Sequence, residues 1–191
     1  MLTEDQQSVG QQGQVSLPQL MEELEHCKAG GDASGIGWVL AKIGTFYQAQ
    51  GRHREALSLF EESLKVFEEA GDKSGEASVA ALMGHLLPQQ GAWERALESL
   101  DRARCLQDEL SDRPGLAATL GKMGNVYEAK LDWERALECY RGSMRIKEEL
   151  DDRAGIALTW NNIGTLYAKT ERWEEALDAY GQSRIIQEGL E

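Results

Sequence analysis

The hexapeptide WERALE stands at Trp93–Glu98 and again at Trp133–Glu138, and a near copy, WEEALD, follows at Trp173–Asp178. Each copy lies 40 residues after the last. Either the chain repeats a site of chemistry or it stacks a structural unit. The register of the copies decides between the two, because a stacked unit must recur with all its neighbours in step.

They are in step. In rows of 40, four acidic turns align: GDASG at Gly31, GDKSG at Gly71, SDRPG at Ser111 and DDRAG at Asp151. Glycine recurs further along each row at Gly44, Gly84, Gly124 and Gly164, then alanine at Ala56, Ala96, Ala136 and Ala176. Leucine follows each alanine, at Leu57, Leu97, Leu137 and Leu177. No insertion breaks the pattern.

Each row holds two helical patterns. In the first row Leu40, Ile43, Gly44 and Tyr47 fall at i, i+3, i+4 and i+7, and Ala56, Leu57, Phe60, Leu64 and Phe67 form the stripe of a second helix. Gly71 can take the left-handed residue after a helix end, and Asp72 can cap the next helix. Pro114 falls in a first turn, where its missing N–H costs little. The short connections within pairs require antiparallel partners. A mid-helix glycine costs about 1 kcal/mol relative to alanine, so four at one register point to a packing demand. The expectation is that each glycine faces the alanine of its partner helix and lets the axes approach. Tyr47, Tyr127, Tyr167, Phe60, Tyr140 and Tyr180 would then fill the space above and below.

Composition narrows the function. Hydrophobic residues are 41% and charged residues 28%, as in an ordinary soluble domain. The net charge of −13 argues against nucleic acid or an anionic membrane as partner. Cys27, Cys105 and Cys139 form no disulfide or zinc pattern, which fits reduced thiols in the cytoplasm. No apolar run is long enough to span a membrane. The starting stretch MLTEDQQSVGQQGQ lacks the basic and apolar regions of a signal peptide.

Trp160-x2-Ile163-Gly164-x2-Tyr167, followed by Ala176-x3-Tyr180, resembles the tetratricopeptide repeat pattern. The first row matches it through Leu40, Ile43, Gly44, Tyr47, Ala56 and Phe60, and the third through Leu120, Met123, Gly124, Tyr127, Ala136 and Tyr140. The second row departs most, with Ala80 and Leu87 at large positions. The usual repeat has about 34 residues. The longer row and its acidic turn resemble the variety found in G-protein signalling adaptors, kinesin light chains and bacterial multi-repeat proteins. The resemblance implies an all-α, right-handed α-α superhelix of antiparallel helix pairs.

The expected organisation is a disordered segment over 1–13, a capping helix resembling half a repeat over 14–30, and repeats over 31–70, 71–110, 111–150 and 151–191. Leu17, Leu20 and Leu24 place the capping helix in the register of Leu57, Phe60 and Leu64. The last helix has no visible cap and presents Leu177, Tyr180 and Ile185, the surface on which a homodimer could form.

No motif of catalysis emerges. His26, His53 and His85 share no face at metal-ligand spacing, and there is no GxGxxG, phosphate loop or GxSxG. Glu61, Glu62, Glu68 and Glu69 read as a solvated helix face. Trp93, Trp133 and Trp173 share one register at the start of the second helices, which marks packing between repeats rather than a ligand cage; His53 holds that register in the first row. No enzyme, metal or cofactor is expected.

The resemblance implies that the first helices line a concave surface. Its groove positions fall here on Trp38, Ala41, Thr45 and Gln48; on Ser78, Ala81, His85 and Pro88; on Ala118, Gly121, Asn125 and Glu128; and on Leu158, Asn161, Thr165 and Ala168. These positions do not repeat. Trp38, Thr45, Gln48, His85, Asn125, Glu128, Asn161 and Thr165 are the candidate peptide contacts, above a floor kept roomy by Ala41, Ala81 and Gly121. The Lys and Asn set with which related clamps hold acidic chaperone tails is absent, with only Lys42 and Lys122 to the side. Pro88 should kink the first helix of its row or end it early beside His85, steering Leu87 from helical geometry. The expected function is a non-catalytic scaffold that binds a peptide or helix of a partner protein. The alternatives are self-assembly through exposed ends and a regulatory domain of a larger protein.

Overall fold

The computed structural model describes residues 16–189. The segment expected to be disordered, 1–13, lies outside them. Nine α-helices follow one another among the described residues: α1 Leu17–Gly30, α2 Ala33–Ala49, α3 His53–Ala70, α4 Lys73–Leu86, α5 Trp93–Glu109, α6 Arg113–Ala129, α7 Trp133–Glu149, α8 Arg153–Lys169 and α9 Trp173–Glu188. A short 3-10 turn, Leu87–Gln90, continues α4. The closest packing is within α2–α3, α4–α5, α6–α7 and α8–α9, and successive pairs meet through α3–α4, α5–α6 and α7–α8. The architecture is a right-handed superhelix of antiparallel pairs, with α1 on α2 through Leu20, Val39 and Ile43.

Local chemistry sets where each helix stops. A left-handed residue recurs every 20 positions: Gly31, Gly51, Gly71 and Gly91, then Ser111, Leu131, Asp151 and Glu171. Its N–H and that of the next residue turn back onto the last carbonyls of the helix, as Gly71 and Asp72 do onto Glu68 and Phe67. Before each first helix an aspartate then caps: Asp32, Asp72, Asp112 and Asp152 accept from the N–H of Gly35, Gly75, Gly115 and Gly155. At Leu131, glycine's freedom is missing where the backbone needs it (φ 62°). That side chain is 67% exposed and gains little from burial. Leu131→Gly should therefore stabilise the chain by about 0.5–1 kcal/mol, left-handed strain of about 1–2 less the added entropy of the unfolded chain. Urea unfolding checks this, and an unchanged or lowered midpoint would speak against it.

The glycine register seats most closely the side chain four positions after the facing alanine, which is an aromatic ring in three of the four pairs. A Cβ on Gly44 would stand 2.5 Å from Phe60, on Gly124 2.5 Å from Tyr140, and on Gly164 2.8 Å from Tyr180. On Gly84 it would stand 2.3 Å from Leu100. The residue four positions after each alanine thus lies across the glycine, while the alanine is buried beside it. At Gly84 the Ala96 carbonyl also approaches, at 3.2 Å.

A second tie between paired helices recurs at the same interval. Ser63 Oγ donates to the Gly37 carbonyl (2.6 Å), Ser143 to Ala117 (2.7 Å) and Ser183 to Ala157 (2.8 Å), all buried. The second pair has Ala103 at that position. Trp93 and Trp133 pack partly buried against the core, whereas Trp173 on α9 is exposed. His53 is half-buried, with Nδ1 enclosed and unpartnered among the described residues.

Candidate functional site

The first helices α2, α4, α6 and α8 form one layer, in which α2 touches α4 and α4 touches α6; α6 and α8 approach each other less closely. Trp38, Thr45, His85, Asn125 and Asn161 are exposed, and Gln48, Glu128 and Thr165 are half-buried. Trp38 stands edge-on to Phe67, with ring centroids 5.2 Å apart. Ala41 and Ala81 are buried, so they do not provide the roomy floor expected of them. Lys122 reaches across and donates to the Ala81 carbonyl at 3.3 Å. Gly121, with Ala118, does line open space.

The aromatic rings seated on the glycines bring polar groups to this layer. Tyr140 lies over Gly124, and its hydroxyl contacts Asn125 Oδ1 and Glu128 Oε2, each at 2.7 Å. Burial, and then the bond to Glu128, pushes its pKa well above the ordinary phenol value. Glu128 also accepts from Lys169 Nζ on α8 at 2.6 Å. Asn125 and Glu128 are therefore braced groups. In the last pair Tyr180 reaches Thr165 Oγ1 at 3.2 Å, and Thr165 itself donates to the Asn161 carbonyl. Phe60 and Leu100 offer no hydroxyl to the first two pairs.

What fills the wedge between successive first helices differs from pair to pair. One register at the end of the second helix reads Phe67, Gln107 and Lys147. Phe67 is fully buried, and a Cβ on either Gly37 or Gly75 would strike its ring, so it plugs the α2–α4 wedge. Gln107 is buried, with its side-chain amide facing Thr119 Oγ1 and the Gly115 carbonyl. Lys147 instead turns its ammonium to Thr159 Oγ1 (2.9 Å) and the Gly155 carbonyl (3.3 Å). The α6–α8 wedge stays open as a cavity of about 580 Å³, lined by Pro114, Ala118, Gly121, Leu158 and Asn162 together with Lys122 and Lys147.

A second cavity of about 310 Å³ lies beside it between α4 and α6, lined by His85, Pro88, Trp93, Lys122 and Asn125. Pro88 makes this opening, since α4 ends early at Leu86 and tightens into the 3-10 turn. Leu87 does not leave helical geometry as expected; its φ of −56° and ψ of −37° are right-handed helical. The tighter 3-10 turn absorbs the proline without extending the residue before it. Burial, and then the charge of Lys122, lowers the pKa of His85.

Lys122, expected to the side of the groove positions, lines both cavities. Lys147 was missed altogether, because it belongs to a second helix. The available signal was the change from Phe67 to Gln107 to Lys147 at a register otherwise kept for burial. Among the described residues no cluster of His, Cys, Asp or Glu could hold a metal ion, and no helix is long and apolar enough to cross a membrane.

The paired helices, their fixed interval and the layer of first helices define an α-helical repeat protein. The tetratricopeptide repeat family matches residues 35–109 and 115–188, and the chain belongs to that family, whose repeats generally mediate protein–protein interaction. No curated protein matches the chain. Among solved structures, BtubC (BKLC) from P. vanneervenii is similar at a TM-score of 0.84 and 19% identity, covering 91% of this chain and 72% of that one. A putative kinesin light chain from Podosopora anserina with nearly identical TPR-like repeats has a TM-score of 0.73 at 16% identity, covering 89% and 84%. Aspartyl phosphate phosphatase F from Bacillus subtilis has a TM-score of 0.78 at 12% identity, covering 90% of this chain and 49% of its own. At such identities the likeness is one of fold.

Proposed function

We propose that the chain is a non-catalytic binding module that holds a segment or helix of a partner protein along its first-helix layer. The observation that carries this reading is the pair of adjoining cavities that share Lys122 and run from α4 across α6 to α8. Around them the buried framework repeats every 40 residues, while the exposed positions Thr45, His85, Asn125 and Asn161 do not. Stacking constrains the first set and leaves the second free to meet a ligand. Trp38, His85, Leu158 and Asn161 are the proposed contacts, with Asn125, Glu128 and Thr165 held in place by Tyr140 and Tyr180. The cytoplasm is the proposed setting, supported by three free cysteines.

Bulk added to the layer tests the reading. His85→Trp combined with Asn161→Trp should remove the partners recovered from cell extract, whereas Ser58→Trp on the exposed face of α3 should leave them. Circular dichroism would confirm that both variants fold. Equal recovery by the blocked and unblocked proteins would refute binding in the groove.

A second reading, self-association, has its own observation. Trp173, Leu177 and Ile185 on α9 are well exposed, whereas Trp133 and Leu137, at matching positions on α7, pack against the core. Sedimentation over a range of concentrations tests it; a monomer at all of them would exclude it.

A further inference from the structure

The chain has eight lysines. Six hold a carboxylate: Lys28, Lys42, Lys65, Lys73, Lys130 and Lys169 pair with Glu25, Glu23, Glu69, Glu109, Glu94 and Glu128. The other two, Lys122 and Lys147, bond only to uncharged oxygens among the described residues. Both line the same cavity between α6 and α8. In a protein of net charge −13, two half-buried lysines without a carboxylate partner among the described residues line the walls of one cavity. Burial lowers the pKa of each; at Lys147 the charge of Asp152 opposes this. Asp152 is the one carboxylate that lines the cavity, and its Oδ1 already accepts from the Gly155 N–H at the cap of α8.

We infer that the α6–α8 cavity is a subsite for an acidic side chain of the partner, an aspartate or glutamate that binds between Lys122 and Lys147 with an apolar neighbour against Leu158 and Leu150. This rests on the groove reading above and gives that groove a charge preference. The walls favour a peptide over a polyanion. Pro114, Leu150 and Leu158 supply apolar surface on the rim, and Asn125, Asn162 and Thr159 supply hydrogen-bonding groups. The surrounding negative charge repels a phosphate backbone, whose affinity needs many cations in a row. A carboxylate entering the cavity gives an ammonium group a charged partner where it now holds a neutral carbonyl or hydroxyl oxygen, and charge-assisted bonds are the stronger ones.

Short fluorescent peptides of one frame, with leucines fixed and a single central Glu, Gln or Lys among otherwise neutral residues, test the subsite by anisotropy. The Glu peptide should bind wild-type protein about tenfold more tightly than the Gln peptide, and the Lys peptide more weakly than either. Lys122→Met with Lys147→Met should abolish that preference, and Lys122→Gln with Lys147→Gln should do the same if the methionine pair folds poorly. Lys42→Met, outside the cavity, should keep it. Equal affinity for the Glu and Gln peptides, or a Glu preference that survives both lysine pairs, overturns the subsite. If the Gln peptide binds as well as the Glu peptide and His85→Trp with Asn161→Trp blocks both, the groove stands and only the carboxylate site falls. If no peptide binds, the subsite is overturned as well.

Discussion

Phe67→Ala is expected to cost about 3–5 kcal/mol, the largest loss of any single truncation proposed for this chain. The ring is fully buried and touches two successive first helices at once. Added Cβ atoms on Gly37 and Gly75 would stand 2.7 and 2.3 Å from it, so both backbones are drawn in against its faces. Trp38 meets it edge-on as well. Alanine would leave a cavity bounded by α2, α3 and α4, and helices already at close approach have little room to collapse into it. Chemical unfolding measures the loss. A cost below about 1 kcal/mol would mean that the wedge is not held open by the ring.

The second large effect runs against helix propensity. Gly124→Ala in an unencumbered helix should gain about 1 kcal/mol. Here the new Cβ would stand 2.5 Å from the ring of Tyr140, whose hydroxyl is fixed by Asn125 and Glu128. Overpacking of this kind costs about 1–3 kcal/mol, so a net loss of about 1–2 kcal/mol is expected. In a Tyr140→Ala background the obstruction is gone, and the same substitution should turn neutral or stabilising. That reversal in a double-mutant cycle distinguishes a ring seat from a general intolerance of alanine. Loss of equal size in both backgrounds would contradict the seat.

The fold was legible in the sequence because stacking repeats its demands. Leu57, Ala96 and Gly124 recur in register, so pairing and periodicity followed from spacing alone; of the kink or early end that proline's chemistry allowed at Pro88, the early end of α4 is the one seen. Spacing identifies which residues repeat, not which atoms meet. Gly44 and Ala56 share the register, yet the contact belongs to Phe60, because a side chain on a helix covers the turn before its own Cα. Ser63, Ser143 and Ser183 were equally regular, but small polar residues carry no hydrophobic signal, and their buried bonds to facing carbonyls appear only in three dimensions.

The site was less legible still. Asn125 and Glu128 are expected groove positions from their register, but their bracing by Tyr140 depends on a residue from the other helix of the pair. Lys147 sits where neighbouring repeats use Phe67 and Gln107, and its consequence is space rather than contact. A missing plug cannot be read from one row.

Amide hydrogen exchange, with and without the partner recovered from extract, tests the binding surface most directly. Protection should rise along α6 and α8 around Lys122, Asn125, Leu158 and Asn161, and fall away on the outward faces of α3, α5 and α7. Protection confined to those outward faces, or to the exposed stripe of α9, would contradict binding across the first-helix layer.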